Sequence, residues 1–267
     1  MQGRLSPIVD GKIQSFPKEN WRQEFVIASK LGLFLMEWTL DAEGLYENPL
    51  LKSEGRVEIR DLCLKNNISI NSLTGDCFMQ RPFWKENDPE LKRDFCNIVQ
   101  AASACNIQKV VVPLVDGGRL DDINQRENLV GFLLQQEEFL FSHKVQICFE
   151  SDFAPLDLKY LIDEFPRRTF GINYDTGNSA SLGWDVEEEF AAYGDRVYNI
   201  HIKDRVLHGS TVDLGSGAVN FGEFFNILGE SNYSGDLILQ TARAVDNDHA
   251  GQLFTFANFV KERCSYV

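Results

Sequence analysis

The stretch Phe170-Gly-Ile-Asn-Tyr-Asp175-Thr-Gly-Asn178-Ser179, followed after a short helical segment by Tyr198-Asn-Ile-His201-Ile-Lys203-Asp204, decides how this chain is read. Two apolar runs each finish in a polar group able to hold a metal, Asp175 on the first and His201 on the second. Two further runs finish alike: Val145 to Phe149 leads into Glu150, and Leu237 to Leu239 leads into Gln240. Parallel strands that deliver polar tips to one mouth build sites in this way.

Outward from that stretch, apolar runs and helical periodicities alternate along the chain. Strand candidates are Met1 to Leu5, Leu33 to Met36 with a polar tip at Glu37-Trp38, Ile68 to Leu73, and the continuous run Val110 to Val115. They continue through Val145 to Phe149, Thr169 to Tyr174, Val197 to Ile202 and Leu237 to Leu239. Between them lie helix candidates over Trp21 to Lys30, Arg56 to Asn66, Leu91 to Ala102, Leu129 to Leu140, Leu158 to Ile162, Val186 to Tyr193, Phe224 to Leu228 and Leu253 to Val260. Punctuation supports these spans. Gly32 and the Asn66-Asn67 pair suit helix ends, Asp88-Pro89 is a cap followed by proline, and Asn220 with Glu223 has the spacing of a capping box.

Eight strands alternating with eight helices predict a parallel sheet. At 267 residues they predict one domain spanning 1–267, a closed (β/α)8 TIM barrel of the α/β class. An open doubly wound sheet would carry a glycine fingerprint after its first strand, and none stands there.

A formal charge of −14 repels a phosphate backbone, so nucleic acid is not expected as a partner. The six cysteines show no C-x-x-C spacing and read as reduced thiols. No run approaches the ~18 apolar residues of a membrane span, and Met1 to Pro7 lacks a signal-peptide core. The expectation is a cytoplasmic protein without a membrane partner.

In a barrel, Glu150, Asp175, His201 and Gln240 fall at the ends of four successive strands. Two carboxylates, an imidazole and an amide oxygen suit one divalent cation of borderline hardness: Mn2+, Zn2+, Co2+ or Mg2+. Singly, each residue is ordinary; the matched placement favours a ligand cluster. For Gln240 alone, ligand and structural readings both stand.

The segments Phe149-Glu150, Asp175-Thr-Gly-Asn178, His201-Ile-Lys-Asp204 and Leu214-Gly-Ser-Gly-Ala-Val-Asn-Phe221 resemble the sugar phosphate isomerase/epimerase family, the barrels related to xylose isomerase. Asp-x-Gly-Asn followed by His-x-Lys-Asp is similar in particular to the pentulose-5-phosphate and hexulose-6-phosphate 3-epimerase branch. The resemblance implies a metal held by Glu, Asp, His and Glu, with the two glutamates exchanging protons on opposite faces of an enediolate. Glu150, Asp175 and His201 match that pattern. Gln240 departs from it, since an amide ligates through oxygen but does not trade protons near neutral pH.

One remaining base favours isomerisation, or dehydration of a keto-sugar or keto-polyol, over two-base epimerisation, unless Glu37 or Asp204 supplies the second acid. A non-catalytic sugar-binding barrel is the reading from another class. Glu150 and Gln240 are thus the candidate catalytic positions, and a sugar or sugar phosphate is the expected partner. Asn178, Lys203, Arg205 and Arg243 are candidates for holding substrate, with Arg243 the better anion anchor and Lys203 equally readable as the salt-bridge partner of Asp204. His208 lies in a loop placed to cover the site, while His143 and His249 read as solvent-facing. Trp38, Phe78, Phe83 and Trp84 are candidates for walling a sugar face, with core packing the commoner role. The run Asp76 to Trp84 has the length of a lid and the apolar content of a homo-oligomer contact.

Overall fold

A computed structural model describes residues 4–9, 11–86 and 88–264. Met1 to Gly3 lie outside the described residues, and with them most of the first expected strand; Arg4 and Leu5 are buried but belong to no strand. Helix α1 (Trp21–Lys30) comes first and ends at Gly32, whose φ of +70° is the left-handed turn predicted for it. Strand β1 (Leu35–Thr39), α2 (Ser53–Asn66), β2 (Ser69–Thr74), the short α3 (Asp76–Gln80) and α4 (Pro89–Ala104) follow. Asn67 closes α2 in the left-handed conformation, and the Asp88 carboxylate caps α4 by accepting from Glu90 N at 2.8 Å.

The chain continues through β3 (Lys109–Leu114), α5 (Ile123–Gln135), α6 (Glu137–His143), β4 (Gln146–Ser151), α7 (Pro155–Ile162) and β5 (Phe170–Asp175). Helices α8 (Thr176–Leu182) and α9 (Val186–Tyr193) lead to β6 (Val197–Ile202). A two-residue ribbon, β7 (Asp204–Arg205) with β8 (Thr211–Val212), precedes α10 (Phe221–Glu230), β9 (Asp236–Leu239) and α11 (His249–Cys264). One half of the predicted capping box forms, Glu223 N donating to Asn220 Oδ1 at 3.3 Å, while the Glu223 carboxylate takes the side-chain Nδ2 of Asn220 at 2.9 Å in place of its backbone N–H.

Seven strands pair in parallel in the order β1-β2-β3-β4-β5-β6-β9. The sheet curls almost into a ring. At its floor, Asn71 on β2 and Lys109 on β3 reach Asp236 on β9, at 3.2 and 3.1 Å. At the other end the N-terminal segment seals against its neighbours, Arg4 Nε donating to Thr241 O just past β9, and Leu5 N and Ser6 N to the Glu24 carboxylate on α1. This TIM barrel is the expected fold, with helices packed outside the sheet.

Two local expectations change. The single helix expected over Leu129 to Leu140 is two, because Gln136 N turns back to Leu133 O, a tighter i→i−3 turn that separates α5 from α6. The strand read as Leu33 to Met36 runs instead over Leu35–Thr39, which puts Glu37 inside the strand rather than at its tip. The aromatics read as candidates for a sugar wall are core: Trp38, Phe78, Phe83 and Trp84 are all buried. Trp38 packs on Phe16 and Trp21, and Phe83 lies edge-on to Phe78, Trp84, Phe95 and Phe132. Burial of each such ring stabilises the fold by roughly 1.5–3 kcal/mol. All six cysteines are free thiols, and no described helix is long and apolar enough to cross a membrane.

Candidate metal centre

Side chains alternate along a strand, so a residue two before a strand's tip faces the same way as the tip. On β5, Asn173 and Asp175 therefore both point inward, and on β6 so do Asn199 and His201. With Glu150 from β4 and Glu37 from β1 they form a buried polar column inside the barrel. Ligand atoms of Glu150, Asp175 and His201 lie within 4.8 Å of one another, close enough to share one cation.

The column orients its histidine. His201 Nε2 lies 2.8 Å from Glu37 Oε1, and Glu37 also accepts from Ser72 Oγ and Thr74 Oγ1, both at 2.6 Å, and from Asn199 Nδ2 at 3.0 Å. Burial opposes the ionised form of Glu37, but the His201 imidazole and these donors overcome it and hold the carboxyl well below the usual range. An ionised carboxylate only accepts, so Nε2 carries the proton. Nδ1 is left turned toward Glu150 Oε2 at 3.2 Å and Asp175 Oδ2 at 3.9 Å. In the metal-free protein burial disfavours the imidazolium, yet Glu37 and Glu150 prevail and push His201 well above the ordinary histidine value. A carboxylate behind a metal-binding imidazole fixes its tautomer in this way.

Glu150 is held on both oxygens, Oε2 accepting from Asn173 Nδ2 at 2.9 Å and Oε1 from Asn178 Nδ2 at 2.8 Å. Asp175 caps α8 by accepting from Asn178 N at 2.8 Å, while its Oδ2 takes Lys203 Nζ at 2.8 Å. Lys203 thus pairs with Asp175, not with Asp204 as one reading had it. The stem of Lys203 lies against Gly177, where a Cβ would meet it at 2.7 Å, so glycine is what lets the start of α8 approach. Arg205 donates to Gly209 O through Nε and Nη2, at 3.0 and 2.7 Å, and through Nη1 to Asn178 Oδ1 at 3.0 Å.

Gln240 is buried and its Oε1 has no hydrogen-bond partner among the described residues. An amide oxygen left so is expensive unless something electropositive meets it. The imidazole nitrogen and two carboxylates of His201, Glu150 and Asp175 form a donor set that fits a divalent ion, and Gln240, directly after β9, is the candidate fourth donor.

Other candidates fall elsewhere. Arg243 donates to Ile13 O and Ser6 O and ties down the N-terminal segment. Asp204 is fully buried and clamps a loop, accepting from Gly215 N, Gly217 N and Val219 N. Exposed His208 stands on the turn between β7 and β8, its N donating to Ser181 O. His249, read as solvent-facing, is buried against Ala244 N, whereas His143 is half-buried beside Phe139. The sequence reading missed Asn173 and Asn199, although the spacings Asn-x-Asp and Asn-x-His held the signal.

Comparison with known proteins agrees with this architecture. A family model described as a xylose isomerase-like TIM barrel matches residues 25–254. A candidate L-ribulose-5-phosphate 3-epimerase of Haemophilus influenzae is 21% identical over 249 residues, covering 85% of this chain and 86% of its own. Among solved structures, the D-allulose 3-epimerase of Methylomonas sp. in complex with D-allulose superposes with a TM-score of 0.76 at 15% identity, covering 98% of this chain and 95% of that one. The IolI protein with a bound zinc atom gives a TM-score of 0.78 at 15% identity over 100% and 97% of the two chains. With the match running through all the described strands and through the buried Glu150, Asp175 and His201, the chain belongs to the xylose isomerase-like TIM barrel family.

Proposed function

We propose that this protein is a divalent-metal-dependent isomerase or epimerase acting on a sugar or sugar phosphate through an enediolate. The observation that carries the reading is the buried meeting of Glu150, Asp175 and His201 at the ends of neighbouring strands, with the buried Gln240 standing directly after β9. These four residues would hold Mn2+, Zn2+, Co2+ or Mg2+. When bound, the ion supplies Lewis acidity that polarises the substrate carbonyl and stabilises the negative charge that grows on its oxygen.

The chain's own groups do the rest. Glu150 takes the proton from the carbon beside the carbonyl, with Asn173 and Asn178 fixing the carboxylate in one orientation. Glu37 keeps the His201 ring immobile and its Nε2 protonated. Arg205, whose described bonds go to neutral oxygens only, keeps its charge available to an anionic substrate group. Lys203 steadies Asp175.

Metal analysis of the purified protein tests the reading, followed by incubation of the Mg2+- or Zn2+-loaded protein with ketoses and their phosphates in D2O, observed by NMR. Bound metal with deuterium entering at one carbon is the expected result. Failure to retain any divalent ion after loading would overturn it. A second reading, dehydration of a keto-sugar or keto-polyol, draws on the neutral Gln240 and is recognised by loss of oxygen from the product.

A further inference from the structure

Inversion of a carbon needs a proton donor on the face opposite Glu150, and Gln240 cannot be one. The described residues contain seven buried carboxylates: Glu24, Glu37, Asp76, Glu150, Asp175, Glu189 and Asp204. Five are committed elsewhere or to the candidate ion. Glu24 holds Leu5 N and Ser6 N, and Glu37 is saturated by His201, Ser72, Thr74 and Asn199. Glu189 is bound by Tyr174, Tyr193 and Ser179, Asp204 clamps its loop, and Asp175 is shared by Asn178 and Lys203. Besides Glu150, this leaves Asp76.

Asp76 sits directly past the C-terminal end of β2, on the rim where barrel sites form. Its backbone is pinned on both sides, Gly75 N donating to Val111 O at 2.9 Å and Cys77 N to Leu40 O at 2.8 Å. Its side chain has one described hydrogen-bond partner, Gln14 Nε2, at 2.6 Å from Oδ2. We propose that Asp76 is the second proton-transfer residue of this site, meeting the substrate on the face that Glu150 does not reach.

The step balances without another reactant. Glu150 takes the proton, the C–H electron pair moves into the carbonyl system to give the enediolate, and the Asp76 carboxylic acid returns a proton to the same carbon from the other side. Glu150 ends protonated and Asp76 ionised, and exchange with water resets both. The electrostatics suit this cycle. Burial, with Asp41 on the β1 loop and Glu150 on β4, pushes the Asp76 carboxyl up to about 7, against the opposing pull of Gln14 and Arg4 from the N-terminal segment. A carboxyl group near neutrality can both give and take a proton.

This inference rests on the enolising function proposed above, and one experiment separates the two. Wild type, Asp76→Asn and Asp76→Glu, each loaded with Mg2+ or Zn2+, are incubated with the same ketose panel in D2O, and both deuterium exchange and inversion are followed. Asp76→Asn should retain metal and exchange at the carbon attacked by Glu150, yet lose inversion by about 100-fold or more, with partial recovery in Asp76→Glu. A merely structural role would lower exchange and inversion together. Inversion at the wild-type rate in Asp76→Asn, or exchange without inversion in the wild type, overturns the role of Asp76 and leaves the enolising function standing. No exchange by the wild type with any ketose overturns both.

Discussion

Gln240 carries a conflict that a single substitution can expose. Its buried Oε1 has no partner among the described residues, which costs about 1–3 kcal/mol in the metal-free protein. Gln240→Met should therefore raise metal-free stability while weakening the metal-induced rise in melting temperature. Calorimetric melts with and without Zn2+ measure both; a destabilised metal-free variant would mean that the amide is satisfied after all. His201→Ala and Asp175→Ala each remove one of the candidate ligands. Free ion at a hundredfold over its Kd stabilises a native protein by about 2.7 kcal/mol, roughly 5–10 °C for a chain of this size. Both variants should lose that shift and the bound metal, as measured by elemental analysis. At this scale the sequence was informative for Glu150, Asp175 and His201, because each ends an apolar run. Glu37 was harder, since whether it caps or lies within β1 depends on whether the strand ends at Met36 or Thr39, which local apolar content does not fix.

Among the elements, the loop from Val206 to Val219 shows how one side chain organises a segment. Asp204 is fully buried and receives three backbone N–H groups, and a Cβ on Gly217 would stand 2.2 Å from its Oδ1. Hydrogen bonds to a charged group contribute about 1.5–3 kcal/mol each, and they are not additive. Asp204→Ala should destabilise by about 3 kcal/mol in denaturant and open residues 206–219 to limited proteolysis, with the metal site intact. Unchanged cleavage would show that the ribbon of β7 and β8 holds the loop without the clamp. The segment from Leu214 to Phe221 was visible in the sequence as part of a family pattern. Its physical purpose was not, because three amides converge on Asp204 only once the chain has folded.

Over the whole molecule, protonation couples the rim of the barrel to stability. Asp76 titrates near 7 when folded, against about 4 when unfolded. Between those values the native state binds more protons than the unfolded one, so this residue's contribution is present at low pH and is lost as pH rises through about 7. Metal-free wild type should thus lose stability relative to Asp76→Asn between pH 5.5 and 7.5, by a few kcal/mol at most, in urea titrations. Parallel curves would place the Asp76 carboxyl in its ordinary range. Working above pH 5.5 avoids the isoelectric region at 4.7, where the net charge vanishes and association competes.

Periodicity and residue type determined most of the alternation of strands and helices, several helix caps, and the arrival of Glu150, Asp175, His201 and Gln240 at strand ends, since these are local properties. Ring closure then decided which side chains meet. Glu37 and His201 lie 164 positions apart, Asp76 and Gln14 62 apart, and Arg4 and Thr241 237 apart. No local pattern encodes such pairs. Curvature of the sheet brings distant rims together, and burial then selects the polar groups that satisfy one another, leaving, among the described residues, Gln240 Oε1 without a partner and the Asp76 carboxylate with Gln14 as its one hydrogen-bond donor.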